Sequence, residues 1–326
     1  MAAVLLEHLA EKTDLHIYSS CTRRQADGWA SKTGCHVHPV SARNYWLAVG
    51  GPVCNLKPHT VLVVSGIHKA RIIYPAFQQL HHKVAGRMRT LLLQAVNLDR
   101  RPGFLAKRLL RRFDAVLCSS KTLANDLASL LEKPVTYLPP AVDAHRIESI
   151  ESAVRGDKLR VAFMNHVNHQ KGADIAVKAF AELRLDNAEY IVAGTGDCEA
   201  SLRAQYEGTP GIRFLGYLPD PLPELKSCDV MVLPFRTSVS VLGVSQTLLE
   251  CMAAGVPVIA TRHDTITAVL EHEKQGLLVD DAEGLKAAIK RLYNDRDLRL
   301  KLSANAQHSV DDFEVSRVTD RLCSMI

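Results

Sequence analysis

Residues 242–261 read LGVSQTLLECMAAGVPVIAT, and this stretch predicts a loop, a helix and a buried strand. Ser245 stands at the expected N-cap, where a hydroxyl accepts a hydrogen bond from the first helical turn. Apolar residues then recur at helical spacing, and Gly255 is typical of the position that ends a helix. The continuous apolar run PVIA at 257–260 favours a strand covered on both faces, as in a parallel sheet. The stretch therefore predicts an α/β fold.

Glu250 is the unexpected residue of this helix, because it places a carboxylate among apolar positions. An unpaired buried carboxylate is costly, so such a residue needs either solvent or partners. One interpretation is a partly exposed glutamate on the helix face. The other is a carboxylate that accepts hydrogen bonds from the hydroxyls of a ligand, beside a helix N-terminus that favours an anion.

The segment ECMAAGVPV at 250–258 resembles the E-A-M-A-x-G-x-P-V signature of family 4 retaining glycosyltransferases (glycosyl transferases group 1). That family has the two-domain GT-B fold. The resemblance implies that Glu250 binds the ribose of a nucleotide-sugar donor. It also implies that the helix start at Ser245, Gln246 and Thr247 faces the donor's diphosphate.

The composition is that of a globular protein with room for two domains: 326 residues, 47% hydrophobic and 23% charged. The net charge of +5 is too mild to indicate a nucleic-acid partner. Glu7, Glu11 and Lys12 interrupt the first apolar run, which argues against a signal peptide, and no run reaches the roughly 18–20 apolar residues of a membrane span. None of the eight cysteines forms a C-x-x-C pair, which favours the reducing cytoplasm.

A metal site is not expected from the sequence. Cys35 and His38 are separated by two residues, and His81 is followed by His82, but neither pair has two further ligands at zinc spacing. Solvated loop histidines are the favoured interpretation. The resemblance likewise implies sugar transfer without a required metal, and no cofactor is expected beside the nucleotide-sugar substrate.

We expect two Rossmann-like domains that face a cleft. Residues 1–150 would form an N-terminal, acceptor-side domain and residues 151–312 a C-terminal domain that binds the nucleotide sugar. A helix over residues 313–326 would pack back on the first domain. The pattern predicts a helix at residues 1–11 and a strand at 14–19, without the strand and glycine-rich loop with which the family opens. The interpretations left open are a true start upstream of residue 1 and a truncated member of the family.

His68 is a candidate catalytic residue on the acceptor side. It follows the buried strand predicted at 60–65 (TVLVVS), at the end where ligands lie in open α/β sheets. A loop histidine without a role is the favoured alternative. Many members of the family carry a histidine after the next strand, predicted here at 90–96, but residues 94–97 read QAVN.

Residues 100–113, RRPGFLAKRLLRRF, form a basic amphipathic segment. Its apolar stripe consists of Phe104, Leu105, Leu109 and Phe113. An ordinary surface helix with a cationic face is the favoured interpretation. The alternative is a peripheral contact with anionic membrane at the inner face, worth about 1 kcal/mol per basic side chain, which would suit a membrane-bound acceptor.

Lys171-Gly172 follows the strand predicted at 159–164 and precedes a helix, as does the K-G of the family. The resemblance implies that Lys171 neutralises the phosphates of the donor, which suits an ammonium at a helix start. The family prefers an arginine five residues before this lysine. His166 stands there instead, which weakens the contact, because histidine binds phosphate only when protonated or as a neutral donor.

Two more segments of the second domain match the family. Gly194 begins a G-x-G turn, whose glycines let the backbone approach the sugar-nucleotide, and Asp197 is expected to cap the following helix. Gly216 and Tyr217 match the segment that cradles the base.

Leu242 is the largest departure from the family. It stands where the E-x7-E pattern has its first glutamate, which grips the hydroxyls of the donor sugar. Leucine cannot replace a bidentate acceptor, although Ser238, Ser240, Ser245 and Gln246 offer polar groups nearby. Donor choice is therefore unusual or donor binding is partly lost.

The sequence as a whole predicts a retaining hexosyltransferase that moves sugar from a nucleotide-diphosphate sugar to a hydroxyl of a glycan or lipid-linked acceptor, in cell-envelope or exopolysaccharide synthesis. One alternative is a degenerate GT-B protein that binds a nucleotide or a partner transferase without catalysis. Another is a GT-B nucleotide-sugar epimerase. The identity of the sugar, the base and the acceptor is left open by the sequence.

Overall fold

The computed structural model describes residues 2–14, 16–19, 26–28, 30–31, 35–39, 60–65, 89–94, 107–108, 110–154, 156–237 and 244–325. The chain forms two compact units, one of residues 1–141 with 315–326 and one of residues 142–314. The expected domain limits, 1–150 and 151–312, differ from these units by a few residues, and as functional domains they stay a prediction.

The elements up to residue 137 are, in chain order, α1 (Ala2–Lys12), β1 (His16–Ser19), β2 (His36–Pro39), β3 (Thr60–Ser65), β4 (Arg89–Gln94), β5 (Ala115–Cys118), α2 (Lys121–Leu131) and β6 (Thr136–Tyr137). The remaining elements are α3 (Ala144–Ser149), β7 (Leu159–Met164), α4 (Ala173–Leu183), β8 (Ala188–Ala193), α5 (Glu199–Tyr206), β9 (Ile212–Gly216), α6 (Leu222–Lys226), β10 (Val230–Leu233), α7 (Gln246–Ala254), β11 (Val258–Thr261), α8 (Asp264–Thr267), β12 (Gly276–Val279), α9 (Ala282–Asn294), α10 (Arg296–Ser309), a 3-10 turn (Asp311–Phe313) and α11 (Val315–Cys323).

The first unit contains two parallel sheets. Strands β3-β4-β5-β6 form one sheet in sequential order, and β1 and β2 pair as a separate two-stranded sheet. One of its cores joins α1, β5 and the last helix α11 through buried leucines and valines: Leu5, Leu9, Leu117, Leu138, Val315, Val318 and Leu322. The C-terminal helix is thus part of the core of this unit.

The second unit is built on a six-stranded parallel sheet in the order β12-β11-β10-β7-β8-β9. Alternate residues of one strand enter different cores: Val161 and Phe163 of β7 pack with α4 and α9, whereas Ala162 and Met164 pack with α7. Both faces of the sheet are therefore covered, which explains why its strands are continuously apolar in sequence.

Helix α7 begins and ends where the sequence predicts. The Ser245 hydroxyl accepts a hydrogen bond from Leu248 N at 3.4 Å, and Gly255 ends the helix in the left-handed region with φ of 69°. Its amide donates to Cys251 O. These caps satisfy backbone groups that a helix otherwise leaves without partners.

The expected cap by Asp197 is wrong. Helix α5 begins after Cys198, and no side chain caps it. Backbone carbonyls accept the hydrogen bonds of the amides at the helix start: Cys198 N donates to Val167 O at 3.0 Å, and Glu199 N donates to Gly196 O at 3.1 Å. The exposed Asp197 carboxylate therefore does not cap α5.

Arg160 holds a buried ionic cluster in the second unit. Its guanidinium donates to Glu189 and Glu224 and to Ser227 Oγ at 2.7 Å, and its side chain is 5% exposed. Burial of a charge at this depth requires such partners. The cluster ties β7 to β8 and α6.

No helix within the described residues is long and apolar enough to cross a membrane. The cysteines in the described part of the chain are all free thiols: Cys35, Cys118, Cys198, Cys228, Cys251 and Cys323. Burial raises the pKa of Cys118 and of Cys228 to about 12, so these two thiols behave as small apolar side chains.

Candidate functional site

The strand order of the second unit creates a switch point between β7 and β10. From β7 the chain adds β8 and β9 on one side, and from β10 it adds β11 and β12 on the other. Ligands of open α/β sheets bind outside the carboxyl ends of the strands at such a point. The loop 165–172, which follows β7, and residues 234–237, which follow β10, leave the sheet there.

Lys171 lies in the loop after β7 with its ammonium directed at a ring that follows β10. Its Nζ is 4.4 Å from the centroid of the Phe235 ring, and its amide donates to Asn168 Oδ1 at 2.8 Å. The side chain is partly buried, and this burial lowers the pKa of Lys171 from its ordinary value. A cation–π contact holds the ammonium at the switch point without neutralising it.

Two glycines of the site are required by the protein's own backbone. Gly172 has φ of +71°, and a Cβ there would lie 2.0 Å from Pro234 O. Gly194 has φ of +124°, and a Cβ would lie 2.0 Å from Asn165 O. The close approach of these loops to one another accounts for both residues, a reason that the sequence did not reveal.

Glu250 lies in the second turn of α7 and is partly buried. Burial raises the pKa of its carboxyl, and a hydrogen bond from the Gln246 side chain acts in the opposite direction. Asn165 Nδ2 donates to Thr247 Oγ1 at 3.5 Å, which connects the loop after β7 to the first turn of α7. Ser245, Gln246 and Thr247 thus stand at a capped helix start, close to the loop that carries Lys171.

His166 and Tyr217 are solvent-exposed residues that follow β7 and β9. The amide of His166 donates to Asn165 Oδ1, and its ring is exposed. Tyr217 is 72% exposed and follows Gly216, which has φ of +69°. Both side chains are accessible to a ligand at the carboxyl edge of the sheet.

Several residues raised by the sequence lie outside the described part of the chain. These are His68, His81, His82, Ser238, Ser240 and Leu242, together with residues 100–106 and 109 of the basic segment. Their proposed roles stay predictions.

The sequence did not single out Phe235, Arg236 or His263, yet all three lie at the carboxyl edge. Arg236 forms a bidentate pair with Asp174 at 2.6 and 2.7 Å and donates to His169 O, so it fastens the loop of Lys171. His263 Nε2 lies 2.6 Å from Phe235 O. The signal that could have found them is their position, since each lies two or three residues after the end of an apolar strand.

The described residues of this unit contain no group of three histidine, cysteine or acidic side chains close enough to share an ion. The charged groups of the site are instead the Lys171 ammonium and the Glu250 carboxylate. An arrangement of one cation, one carboxylate and a capped helix start suits a ligand that carries both phosphates and hydroxyls.

Curated relatives include two bacterial glycosyltransferases. The lipopolysaccharide core biosynthesis glycosyltransferase LpsE of Rhizobium meliloti is 26% identical over 226 residues, which are 66% of this chain and 65% of the relative. A GDP-mannose-dependent phosphatidylinositol monomannoside mannosyltransferase of Mycobacterium tuberculosis is 29% identical over 195 residues, 52% of this chain and 49% of the relative. The chain thus spans between half and two thirds of the length of these relatives.

The Anabaena protein Alr3699/HepE, solved in complex with UDP, is similar in structure to this chain. The TM-score is 0.81 at 13% identity, and the match covers 99% of this chain and 95% of that one. At this identity the likeness concerns the fold alone. The prediction of a GT-B fold with two Rossmann-like α/β units is confirmed.

A family model matches the second unit. Residues 158–295 match the family described as Glycosyl transferases group 1, and the matched range includes the loop of Lys171 and the whole of α7. The resemblance that the segment ECMAAGVPV indicates is therefore confirmed: residues 158–295 are similar to the group 1 glycosyltransferases.

Proposed function

We propose that this protein is a family 4 hexosyltransferase that moves a sugar, with retention, from a nucleotide-diphosphate sugar to a hydroxyl group. The proposed acceptor is a glycan or a lipid-linked sugar of cell-envelope or exopolysaccharide synthesis. The observation that carries the proposal is Glu250, a partly buried carboxylate with a raised pKa in α7, near the loop that holds Lys171. The names of the relatives support the class of acceptor.

Glu250 would bind the ribose. Its carboxylate loses hydration on burial, and the Gln246 side chain restores one hydrogen bond. Two vicinal hydroxyls of a ribose would supply further donors to an acceptor-only group. Ligand binding would thereby offset the free-energy cost of burying the Glu250 carboxylate in the unliganded protein.

Lys171 would hold the diphosphate together with the amides at the start of α7. Ser245, Gln246 and Thr247 begin this helix, whose N-terminus favours a negative charge. When the glycosidic bond to phosphate breaks, negative charge grows on the departing diphosphate, and fixed positive groups stabilise that transition state. The acceptor proton can pass to the departing phosphate, so the proposal needs no protein base. His68 remains a candidate acceptor-side group.

The base of the donor remains to be identified. The Anabaena neighbour was solved with UDP, and the name of the mycobacterial relative specifies GDP-mannose. In the proposal the exposed Tyr217 contacts the base and His166 lies near the phosphates. Gly172 and Gly194 keep the loops that carry these groups in place.

A thermal-shift panel with UDP, GDP, ADP and their sugar conjugates tests the proposal. A ligand at about 100 times its Kd adds about 2.7 kcal/mol of stability, which raises Tm by about 5–10 °C for a unit of this size. We expect one base to give such a shift and Glu250→Ala to abolish it. Glu148→Ala, which removes an exposed glutamate of α3, is the matched control and retains the shift. A folded protein that responds to none of these nucleotides would rule out the donor site.

A non-catalytic GT-B protein is the second candidate, because Leu242 replaces the family's sugar-binding glutamate and His166 its arginine. Such a protein would retain the nucleotide shift and lack any turnover. Incubation with the responding nucleotide sugar, followed by mass spectrometry of the nucleotide products with and without hydroxyl acceptors, distinguishes the two. Release of the nucleoside diphosphate supports the transferase, and binding without release supports the second candidate.

A cytoplasmic site of action, with peripheral contact to anionic membrane through residues 100–113, is part of the proposal. The basic residues of this segment support it. Two observations oppose a membrane-facing role for its end: Phe113 is buried in a core of the first unit, and Arg111 donates to Leu131 O and pairs with Glu132. Flotation with vesicles that contain anionic lipid, compared with neutral vesicles, tests this contact.

A further inference from the structure

Three histidines and an aspartate converge on one side of the two-stranded sheet of the first unit. Asp14 Oδ1 lies 3.6 Å from His16 Nε2 and 3.6 Å from His36 Nε2. The Nδ1 atom of His16 lies 3.0 Å from His38 Nε2. The imidazoles of His16 and His36 stack with their centroids 4.5 Å apart.

The parallel register of β1 and β2 brings these residues together. His16 is paired directly with His36, and the alternation of a strand places His38 on the same side as His36. Asp14 precedes His16 by two residues and extends the same row. Two segments twenty residues apart in sequence thus contribute to one cluster.

A hydrogen bond joins His16 to His38, but hydrogen bonds to the imidazoles do not explain the position of Asp14. At 3.6 Å, the carboxylate of Asp14 is beyond the usual hydrogen-bond distance to either imidazole. The candidate ligand atoms of Asp14, His16 and His36 all lie within 4.8 Å of one another. In a tetrahedral site with metal–ligand bonds of about 2.0–2.1 Å, ligand atoms lie roughly 3.3 Å apart. Metal binding therefore requires the exposed side chains of Asp14 and His36 to move closer to His16 than they lie here.

We infer that Asp14, His16 and His36 bind a divalent transition-metal ion of the zinc type, and that His38 positions His16. Binding through Nε2 requires that the proton of His16 reside on Nδ1, and that N–H donates to His38 Nε2. A ligating histidine commonly donates its second N–H to such a partner, which fixes its tautomer and orientation.

The ligand chemistry selects the ion. Two imidazoles and one carboxylate suit Zn²⁺ and its neighbours in the first transition row, whereas Mg²⁺ and Ca²⁺ prefer oxygen ligands. The side chains of Asp14 and His36 are 80% and 62% exposed, so water can complete the coordination and the ion can enter from solvent. Three protein ligands leave one tetrahedral position for that water.

Calorimetric titration of the full chain with ZnCl₂, after removal of metals by a chelator and of the chelator by dialysis, tests the inference. We expect one high-affinity ion per chain, and visible absorption of a Co²⁺-loaded sample typical of four-coordinate nitrogen and oxygen ligands. His36→Gln and Asp14→Asn should each weaken Zn²⁺ binding by about 100-fold or more, and His38→Gln by about 10–100-fold.

His308→Gln is the matched control, since it removes an exposed histidine of α10 from the second unit and should leave the affinity unchanged. Circular dichroism checks that each variant is folded, and Asp14→Asn changes only an exposed carboxylate. Absence of a high-affinity ion overturns the inference. Equal affinity of the parent, His36→Gln and Asp14→Asn also overturns it, because the ion would then bind other histidines or cysteines.

Discussion

Glu250→Gln keeps the shape of the side chain and removes the charge whose burial raises the pKa of this carboxyl above its ordinary value of 4.5. The folded protein therefore binds the Glu250 proton more tightly than the unfolded chain does. Stability contributed by the protonated form is present below pH 4.5 and is lost as pH rises through the folded pKa. We expect Glu250→Gln not to lose this stability as the pH rises, because the glutamine side chain does not ionise.

The size of the gain follows from the pKa itself. Each pH unit by which folding raises the pKa corresponds to about 1.4 kcal/mol once the carboxyl is ionised. One kcal/mol changes Tm by about 2–4 °C in a domain of 150–250 residues. The variant should thus melt at a higher temperature than the parent at pH 8, and the two should converge toward pH 4.

Melting curves followed by circular dichroism between pH 4 and pH 8 measure this difference. Glu148→Gln, at an exposed position of α3, is the control and should follow the parent at every pH. Carbon-13 NMR of labelled glutamate side chains gives the folded pKa independently. Converted at about 1.4 kcal/mol per pH unit, the pKa shift should equal the stability difference between the two proteins. In the same variant, the nucleotide-induced shift should fall sharply, because an amide presents one acceptor in place of two.

A glutamine variant that is less stable than the parent at pH 8 would refute the reasoning, since burial would then not disfavour the charge. A stability difference independent of pH would refute it as well. Retention of the full nucleotide shift would leave the stability argument intact and remove Glu250 from the donor site.

Three more predictions concern the second unit. Because burial lowers the pKa of Lys171, the affinity of the parent protein for a nucleoside diphosphate should begin to fall below pH 10.5. Titration calorimetry from pH 7 to 10 measures this fall, and Lys171→Gln should bind weakly at every pH. Arg160→Met leaves buried carboxylates without their partner and should cost about 3–5 kcal/mol in urea unfolding, whereas Arg213→Met, at a side chain 51% exposed, should cost less than about 1 kcal/mol. Gly194→Ala forces a backbone shift and should lower both Tm and nucleotide affinity; Gly208→Ala, where a Cβ meets nothing within 4 Å, should change Tm by at most a few degrees.

Local patterns were sufficient for the bounds of some strands and of α7, although the strands predicted at 14–19 and 90–96 are observed at His16–Ser19 and Arg89–Gln94. The strands at Thr60–Ser65 and Leu159–Met164 have the bounds that their apolar runs predict. The ends of α7 follow from Ser245 and Gly255, because caps are chosen by the chemistry of one or two residues. The cap by Asp197 was wrong because the helix begins one residue later than expected, after Cys198, whose amide donates to Val167 O, a carbonyl distant in sequence.

Contacts set by strand order and register were beyond the sequence. The packing of Lys171 on Phe235 depends on β7 and β10 being neighbours, although they are separated in sequence by β8 and β9. The cluster of His16 and His36 depends on the register of β1 and β2. From sequence spacing, only the pair Cys35 and His38 is considered in this region, and no metal site is expected. Spacing along the chain carries no information on such juxtapositions when the connecting segment is long.

Arg160 and Glu250 both place a charge away from solvent in the second unit, but we assign a structural role to Arg160 and a functional role to Glu250. Arg160 has two carboxylates and a hydroxyl as hydrogen-bond partners, a closed set that accounts for its burial. The Glu250 carboxylate receives a hydrogen bond from Gln246, and burial still raises its pKa. A carboxylate that remains destabilised in the folded protein, in the second turn of a helix with a capped start, has capacity for the hydroxyl donors of a ligand. The same physics that makes Glu250 costly without a nucleotide therefore makes it a selective acceptor when one is bound.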